Sequence, residues 1–124
     1  MVLRSTILTS AKNSVLDEFD VVSHVGFSDD TSDELSSSDT LTGEFDRKVL
    51  DSSTKDTGTF VYEFEGSLGL TEDNGDTLNK IGFFTDIAGN TLKLSKLLPS
   101  GISKTADREI SVGYELTVSA TDST

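Results

Sequence analysis

His24 is the only histidine in the chain, and cysteine and tryptophan are absent. The lack of cysteine excludes a thiol nucleophile, a thiolate zinc site and a disulfide framework. A Ser/His/Asp site could use His24, but the sequence has no G-x-S-x-G turn to expose a nucleophilic serine. Because His24 lies within the apolar stretch 20–27, D-V-V-S-H-V-G-F, we expect a core or interface residue rather than a catalyst.

Acidic side chains cluster in two polar stretches that could offer oxygen ligands to calcium. Glu34 accompanies the first cluster, and Glu72 and Asn74 the second. Neither cluster has EF-hand spacing, with its central glycine and distal glutamate. The pattern therefore favours solvated loops, and we predict neither a metal nor any other cofactor. If a metal binds, the candidate ligands are Asp29, Asp30 and Asp33 in the first cluster and Asp73 and Asp76 in the second.

Other patterns that could indicate an enzyme are weak. Glu63 and Glu65 are paired carboxylates, but a glycosidase needs two that flank a cleft, together with sugar-binding groups. The stretch 66–69, G-S-L-G, lacks the lysine and the spacing of a phosphate-binding loop. We therefore predict that the protein is not an enzyme.

The charge balance restricts the partners. The chain has 22 acidic and 10 basic residues, for a net charge of -12 and a pI of about 4.2. Nucleic acids and anionic membranes attract basic surfaces, so we expect neither as a partner. Such a charge also opposes association of copies at low salt, and salt screens it. The acidity is typical of a protein from a salty environment, although an ordinary acidic surface explains it equally well.

The stretch 106–119 has the longest alternation of apolar and polar residues in the sequence. Such alternation is typical of a strand with one buried and one exposed face. We predict a central strand of an antiparallel sheet. The residues on its buried face are Ile110, Val112, Tyr114, Leu116 and Val118.

The rest of the chain indicates an all-β protein. One short helix is predicted at 10–19, and a long acidic loop at 28–42. Further strands are predicted at 20–27, 44–50, 59–68, 78–84 and 91–98, with turns at 51–58 and 99–101 and a polar tail at 120–124. The regular spacing of strands favours one domain, 1–124, folded as an antiparallel β-sandwich of jelly-roll-like type.

The order of motifs along the chain resembles that of a viral protein class. After L-T-S-A-K-N-S-V-L-D come V-S-H-V-G-F, E-F-D-R-K, the long F-E-G-S-L-G-L-T-E-D-N-G-D-T-L-N-K-I-G-F-F, and I-S-K-T-A-D-R-E-I. This order is similar to small structural proteins of tailed phages and tailed archaeal viruses, and to the N-terminal part of tail-collar fibre proteins. The resemblance covers residues 7–119. The chain differs in its more acidic loop 29–40, and in Phe83 where the family often has leucine.

The resemblance implies a virion protein that forms a symmetric homo-oligomer on the tail, the baseplate or the head surface, as a turret or decoration protein. Its partners would be copies of itself and other virion proteins of the capsid, portal or tail. Under this hypothesis the candidate interface residues are Leu35, Leu41, Phe83 and Tyr114. The alternative is a receptor- or carbohydrate-binding module on the virion surface, against which the lack of tryptophan counts.

Overall fold

The computed structural model describes residues 2–118, with side chains from residue 10 onward. The predicted tail 120–124 lies outside the described residues. One helix precedes seven strands. The elements are α1 (Val2–Asp17), β1 (His24–Ser28), β2 (Glu44–Val49), β3 (Ser52–Asp56), β4 (Val61–Leu68), β5 (Thr77–Phe84), β6 (Leu92–Ser103) and β7 (Ile110–Thr117).

The strands form two antiparallel sheets with a common core. The four-stranded sheet has the order β2-β1-β5-β6, and the three-stranded sheet has the order β3-β4-β7. Alternate residues of β1, β4 and β5 meet between the sheets, where the rings of Phe64 and Phe83 are 5.2 Å apart. The prediction of an all-β, sandwich-like protein with antiparallel sheets and one helix is confirmed.

The alternating stretch at the C-terminal end has the predicted faces but not the predicted position. Ile110 and Val112 are buried, and Tyr114 packs against the core from a half-buried position. The prediction of a central strand is wrong, because β7 pairs only with β4 at the edge of the three-stranded sheet. Alternation reports how many faces of a strand are buried, but not how many strands pair with it.

The inner strands are instead β1 and β5 of the four-stranded sheet. From Lys80 to Phe84 every residue of β5 is buried, so this strand has no solvent-facing side there. One face packs in the core between the sheets. The opposite face, which we call the covered face, lies beneath the loop 29–43; its residues include Gly26, Lys80, Gly82 and Phe84.

Four predicted boundaries differ from the structure. The helix covers 2–17 rather than 10–19, and residues 18–21 continue as turns. The strand predicted at 20–27 therefore begins only at His24. The turn predicted at 51–58 contains β3, whose five polar residues are all exposed and carry no apolar signal. The break predicted at 99–101 lies inside β6, where residues 98–101 form a bulge opposite Asn79. Proline is tolerated there because β6 is an edge strand.

We expect the replacement Val112→Asp to abolish cooperative folding, or to lower the free energy of unfolding by about 3 kcal/mol or more. The new carboxylate would lie in the core between the sheets with no cation to pair with it. Urea unfolding followed by circular dichroism measures the effect. Ser111→Asp places the same charge on the exposed face of β7 and is the matched control. A cooperative Val112→Asp variant as stable as this control would contradict the assigned faces.

Candidate functional site

The residues that could have supported catalysis do not form a cleft with one another. His24 is half-buried in β1, and its Nδ1 is 2.7 Å from the Oγ of the preceding Ser23. Glu63 and Glu65 are exposed on the outer face of the three-stranded sheet. Glu63 lies directly opposite Glu115 of β7, so two like charges face each other across this open surface.

The loop 29–43 is the longest irregular segment between strands, and it lies on the covered face rather than in solvent. Its ends are held by Asp29, whose N–H donates to the carbonyl of Gly43, and by Ser28, whose hydroxyl donates to the carbonyl of Thr42. Farther along the loop, the carbonyl of Asp39 accepts a hydrogen bond from the N–H of Leu92 at the start of β6. The loop is thus attached to both β1 and β6.

Lys80 of β5 holds the middle of this loop. Its side chain is fully buried, and its Nζ is 2.7 Å from Asp30 Oδ2, 2.6 Å from Glu34 Oε1 and 2.9 Å from the carbonyl of Ser32. Burial alone would lower the pKa of Lys80, but the hydrogen bonds that Lys80 donates to the two carboxylates outweigh burial and raise the pKa. The same contact with Lys80 lowers the pKa of Asp30. Lys80 is therefore a charged lysine of the sheet, and it offsets the negative charges of Asp30 and Glu34 in the loop that lies over it.

An apolar contact beside this ion pair completes the attachment. Gly26 and Gly82 are directly paired on β1 and β5, and the side chain of Leu41 fills the space above both of them. A Cβ atom at Gly26 would lie 2.5 Å from the ring of Phe84, and one at Gly82 would lie 2.7 Å from the side chain of Leu92. Only glycine at these two positions leaves room for the loop to lie so close to the sheet.

The rim of the covered face is closed by Arg47 of β2. Its guanidinium lies 3.4 Å from the centre of the Phe84 ring and forms two hydrogen bonds with Glu44, of 2.8 and 2.7 Å. The same guanidinium donates to the carbonyls of Asp86 and Gly89 in the β5–β6 hairpin. Arg47 therefore ties β2 to that hairpin while it covers an aromatic ring.

The five aspartates considered as calcium ligands are divided among different contacts. Asp29 and Asp33 are exposed, whereas Asp30 pairs with Lys80. Asp73 and Asp76 lie in the turn 69–76, at the far end of β4 from the helix. In the part of the chain whose side chains are described, no three histidine, aspartate or glutamate side chains are placed to hold a metal ion together.

A second buried lysine holds the turn 69–76. Lys104 is 1% exposed, and its Nζ donates to Asn74 Oδ1 at 2.7 Å and to the carbonyl of Thr105 at 3.0 Å. Its backbone N–H donates to the carbonyl of Asp76, and its carbonyl accepts from Gly75. On the other side, Lys48 pairs with Glu72. The turn is thus fixed by two lysines, as the 29–43 loop is fixed by one.

Asp73 is the exception among these acidic residues. It has a left-handed backbone, with φ of 52°, and its Oδ2 is buried without a hydrogen-bond partner. Burial, followed by the hydrogen bond and charge of the Asp46 carboxyl group and the charges of Asp76 and Glu72, raises the pKa of Asp73 to about 7. Asp73 therefore keeps its proton over the acidic range, although it is an aspartate.

The four candidate interface residues differ widely in exposure. Phe83 is fully buried in the core, and Leu41 is buried against the glycine pair. Tyr114 is half-buried and packs against Phe83, with ring centres 5.6 Å apart. Leu35 alone is fully open to solvent, at 79% exposure, on the outer side of the 29–43 loop. Of the four, only Leu35 has a free apolar side chain to offer to a partner.

The base of α1 is fixed to the three-stranded sheet by charged and polar contacts. Lys55 of β3 lies 2.9 Å from Asp17 and 3.0 Å from Asp20. The hydroxyl of Tyr62 also donates to Asp20, and the contacts with Lys55 and Tyr62 lower the pKa of Asp20. Leu16 is fully buried in the core. The C-terminal end of α1 is therefore attached to the three-stranded sheet and to the core.

The two buried lysines were not predicted from the sequence. Lys80 lies next to the apolar end of β5, where Ile81 to Phe84 follow it, and that position was the available signal. A lysine inside an apolar strand requires a buried anionic partner, because an unpaired buried charge is costly. The acidic loop 28–42 was the only long acidic segment that could have supplied one.

We expect Lys80→Met to lower the free energy of unfolding by about 3 to 5 kcal/mol, because it leaves the carboxylates of Asp30 and Glu34 without their cation. Chemical denaturation at neutral pH measures the loss. Lys96→Met, at an exposed position of β6, removes the same charge without a buried partner and is the control. Equal stability of the two variants would show that the loop does not depend on Lys80.

We expect Asp73→Asn to change how stability depends on pH. The pKa of Asp73 is raised from 3.8 to about 7, so the folded chain binds this proton more tightly than the unfolded chain. The resulting stability is full below about pH 4 and is lost as the pH rises towards 7. The asparagine variant should therefore gain stability relative to the native chain over that range.

Thermal unfolding of both proteins between pH 4 and pH 8, in steps of about half a unit, measures this difference. Asp107→Asn, at an exposed position, is the control and should follow the native curve. If the curve of Asp73→Asn also runs parallel to the native one, Asp73 does not hold its proton in the folded chain.

The comparisons with known proteins supply no relative. No protein-family model matches the chain, and neither a curated protein nor a solved structure matches it. Within residues 2–118, no helix combines the length and the apolar character needed to cross a bilayer.

Proposed function

We propose that this chain is a structural protein of a tailed virus, which acts by assembly with copies of itself and with other virion proteins rather than by catalysis. The observation that carries the proposal is that the buried lysines bind loop residues. Lys80 and Lys104 fix surface loops in place instead of lining an open cleft. Rigid loops on a small β domain suit a protein whose surface is its working part.

The motif order in the sequence supplies the second support. The stretches 22–27, 44–48, 64–84 and 102–110 occur in the order typical of structural proteins of tailed phages and tailed archaeal viruses. In the structure these stretches cover most of β1 and of β2, the second part of β4 with all of β5, and the end of β6. They therefore correspond to elements of the sheets and to the segments between them.

The finer fold type is part of the proposal. The chain enters the four-stranded sheet with β1 and β2, crosses to the other sheet for β3 and β4, and returns for β5 and β6. It then crosses once more for β7. Repeated crossing between two antiparallel sheets is typical of jelly rolls, which have eight strands, one more than the described residues contain. We propose a reduced jelly-roll-like arrangement.

The charge of the chain sets the conditions for assembly. At -12, copies repel one another at low salt, and the range of that repulsion shrinks from about 10 Å at 0.1 M salt to about 3 Å at 1 M. A virion protein of this charge would assemble most readily in brine, as expected for a virus of a halophilic host. The charge therefore makes salt the variable to change in the test.

Light scattering in about 0.1 M and about 2 M salt, concentrations that bracket the screening range, measures the mass in solution. We expect a discrete oligomer that forms or tightens at the higher salt. A monomer at both salts would contradict self-assembly.

A glycan-array screen of that monomer would then test the alternative function, a receptor- or carbohydrate-binding module. Such a module requires exposed aromatic residues. In this chain Phe27, Phe64, Phe83 and Phe84 are all buried.

A further inference from the structure

Strand β6 is a cationic strand in an acidic chain. Residues 87–106 contain three lysines and no acidic residue, so all 22 acidic residues lie elsewhere. Lys104 is buried and bound to the turn 69–76, which leaves Lys93 and Lys96 for other contacts. Both of these lysines are exposed, and β6 lies at the edge of the four-stranded sheet. We call Lys93 and Lys96 the lysine edge.

The lysine edge is not neutralised by the described carboxylates of its own chain. The acidic loop 29–43 is attached to the start of β6 through the backbone carbonyl of Asp39. Among the described side chains, neither Lys93 nor Lys96 forms an ion pair; the pairs are made by four other cations, Arg47, Lys48, Lys55 and Lys80. The two ammonium groups of β6 are therefore available to carboxylates of another molecule.

The outer face of the three-stranded sheet has the opposite charge. The strand register places Glu63 and Glu65 of β4 and Glu115 of β7 on this face, where all three are exposed. We call these residues the glutamate face. Lys55 of β3 lies on the other side of the sheet, where it binds Asp17. The residues that β3 adds to the outer face are Ser52, Thr54 and Asp56.

The three glutamates repel one another and have only neutral partners on this face. Glu63 and Glu115 are directly opposite, and like charges in such a cross-strand pair are destabilising. The hydroxyl of Ser52 donates to Glu65 at 3.2 Å, and the hydroxyl of Thr117 donates to Glu115 at 3.5 Å. A cation brought by a partner would offset the repulsion that these hydroxyls leave.

Gly113 gives the glutamate face a depression near its centre. This glycine is directly paired with Glu65, and beside it lies a depression of about 320 Å³ that Glu63, Glu65 and Glu115 help to line. Lysine side chains lay their methylene groups along a surface and keep the ammonium group at a polar end. The depression therefore suits a lysine whose ammonium group ends among the three carboxylates.

We propose that the lysine edge of one copy docks on the glutamate face of the next copy. The two surfaces belong to different sheets, so the contact is head-to-tail, and such contacts form a ring when the rotation between copies closes. The lysines are about 10 Å apart along β6, and Glu63 and Glu65 are about 7 Å apart along β4, a difference that flexible lysine side chains can span. The inference rests on the self-assembly put forward above and names its interface.

This contact is compatible with assembly at high salt. The repulsion between whole acidic domains acts over a distance and is screened by salt, whereas partly buried ion pairs in contact are screened much less. Salt therefore removes most of the repulsion between copies and leaves most of the local attraction at the interface.

A charge-exchange experiment in the full chain tests the contact. The first variant carries Lys93→Glu with Lys96→Glu, and the second carries Glu63→Lys with Glu115→Lys. We expect each variant alone to weaken association about tenfold, because like charges then meet at every contact. An equal mixture of the two again pairs opposite charges, and should return to within about threefold of the native dissociation constant. Sedimentation at the lowest salt at which the native oligomer forms measures the constants.

The second variant also separates this contact from a general effect of charge. It makes the chain less acidic, so relief of the overall repulsion would strengthen association, whereas loss of the glutamate face weakens it. The matched control carries Glu18→Lys with Asp107→Lys, the same change of charge at two exposed positions outside the glutamate face. The control should associate at least as tightly as the native chain, and circular dichroism checks that every variant is folded.

A thiol cross-link gives a second readout, because the native chain has no cysteine. Lys93→Cys mixed with Glu115→Cys should give a linked dimer with a short bis-maleimide, whereas neither variant alone should. A linker replaces a disulfide because paired lysine and glutamate side chains hold their Cβ atoms farther apart than a disulfide permits. Lys93→Cys mixed with Asp107→Cys is the control and should not cross-link. Linked dimers from Lys93→Cys alone would show that two lysine edges meet, and would overturn the proposal.

The outcomes separate this inference from the proposed function. A native oligomer that the exchange variants do not weaken, or that their mixture does not restore, would show that copies associate through another surface; self-assembly would stand and this contact would not. A native monomer at both low and high salt would contradict both. Weakening by each variant, restoration by the mixture and the mixed cross-link support the head-to-tail contact.

Discussion

The contact on which the rest of the structure most depends is the buried ion pair of Lys80 with Asp30 and Glu34. Both faces of β1 and β5 are buried, and the three-stranded sheet covers only one of them. The segment that covers the other face is strongly acidic and could not lie there without a cation beneath it. Lys80 provides that cation from the sheet itself.

The glycines opposite each other on β1 and β5 follow from the same constraint. An acidic loop can neutralise its charge on Lys80 only if its backbone comes near the sheet, and the side chain of Leu41 then needs space. Gly26 and Gly82 provide it by having no side chain. The ion pair and the glycine pair thus act together, since the first supplies the attraction and the second permits the close approach.

The turn 69–76 shows what happens when acidic residues outnumber the cations near them. Lys104 and Lys48 bind Asn74 and Glu72, and Asp73 is left beside Asp46 with no cation of its own. A buried carboxyl group in that position retains a proton instead of pairing. The two acidic segments that resembled calcium loops are therefore held in different ways, the first by a lysine and the second partly by a proton.

The sequence was sufficient to predict the elements whose faces differ in polarity. The alternation in β7 predicted which side of that strand is buried, since the pattern is set by local burial. It could not reveal β3, because a strand exposed on both faces has no apolar period. It could not reveal the partners of Lys80 either, because they lie 46 to 50 residues away in the chain and only the fold brings them together.

The edges of the two sheets bear on how copies can meet. Strand addition requires a regular, uncharged edge, but β6 is interrupted by the bulge that contains Pro99. β3 is short and polar, and β7 carries Glu115 directly opposite Glu63. The fourth edge strand, β2, carries four charged residues among its six. Because all four edges are short, bulged or charged and the domain is acidic, association by strand addition is opposed by both shape and charge. Helix α1 is not under these restrictions, since residues 1–16 contain no acidic residue and Val15 is exposed.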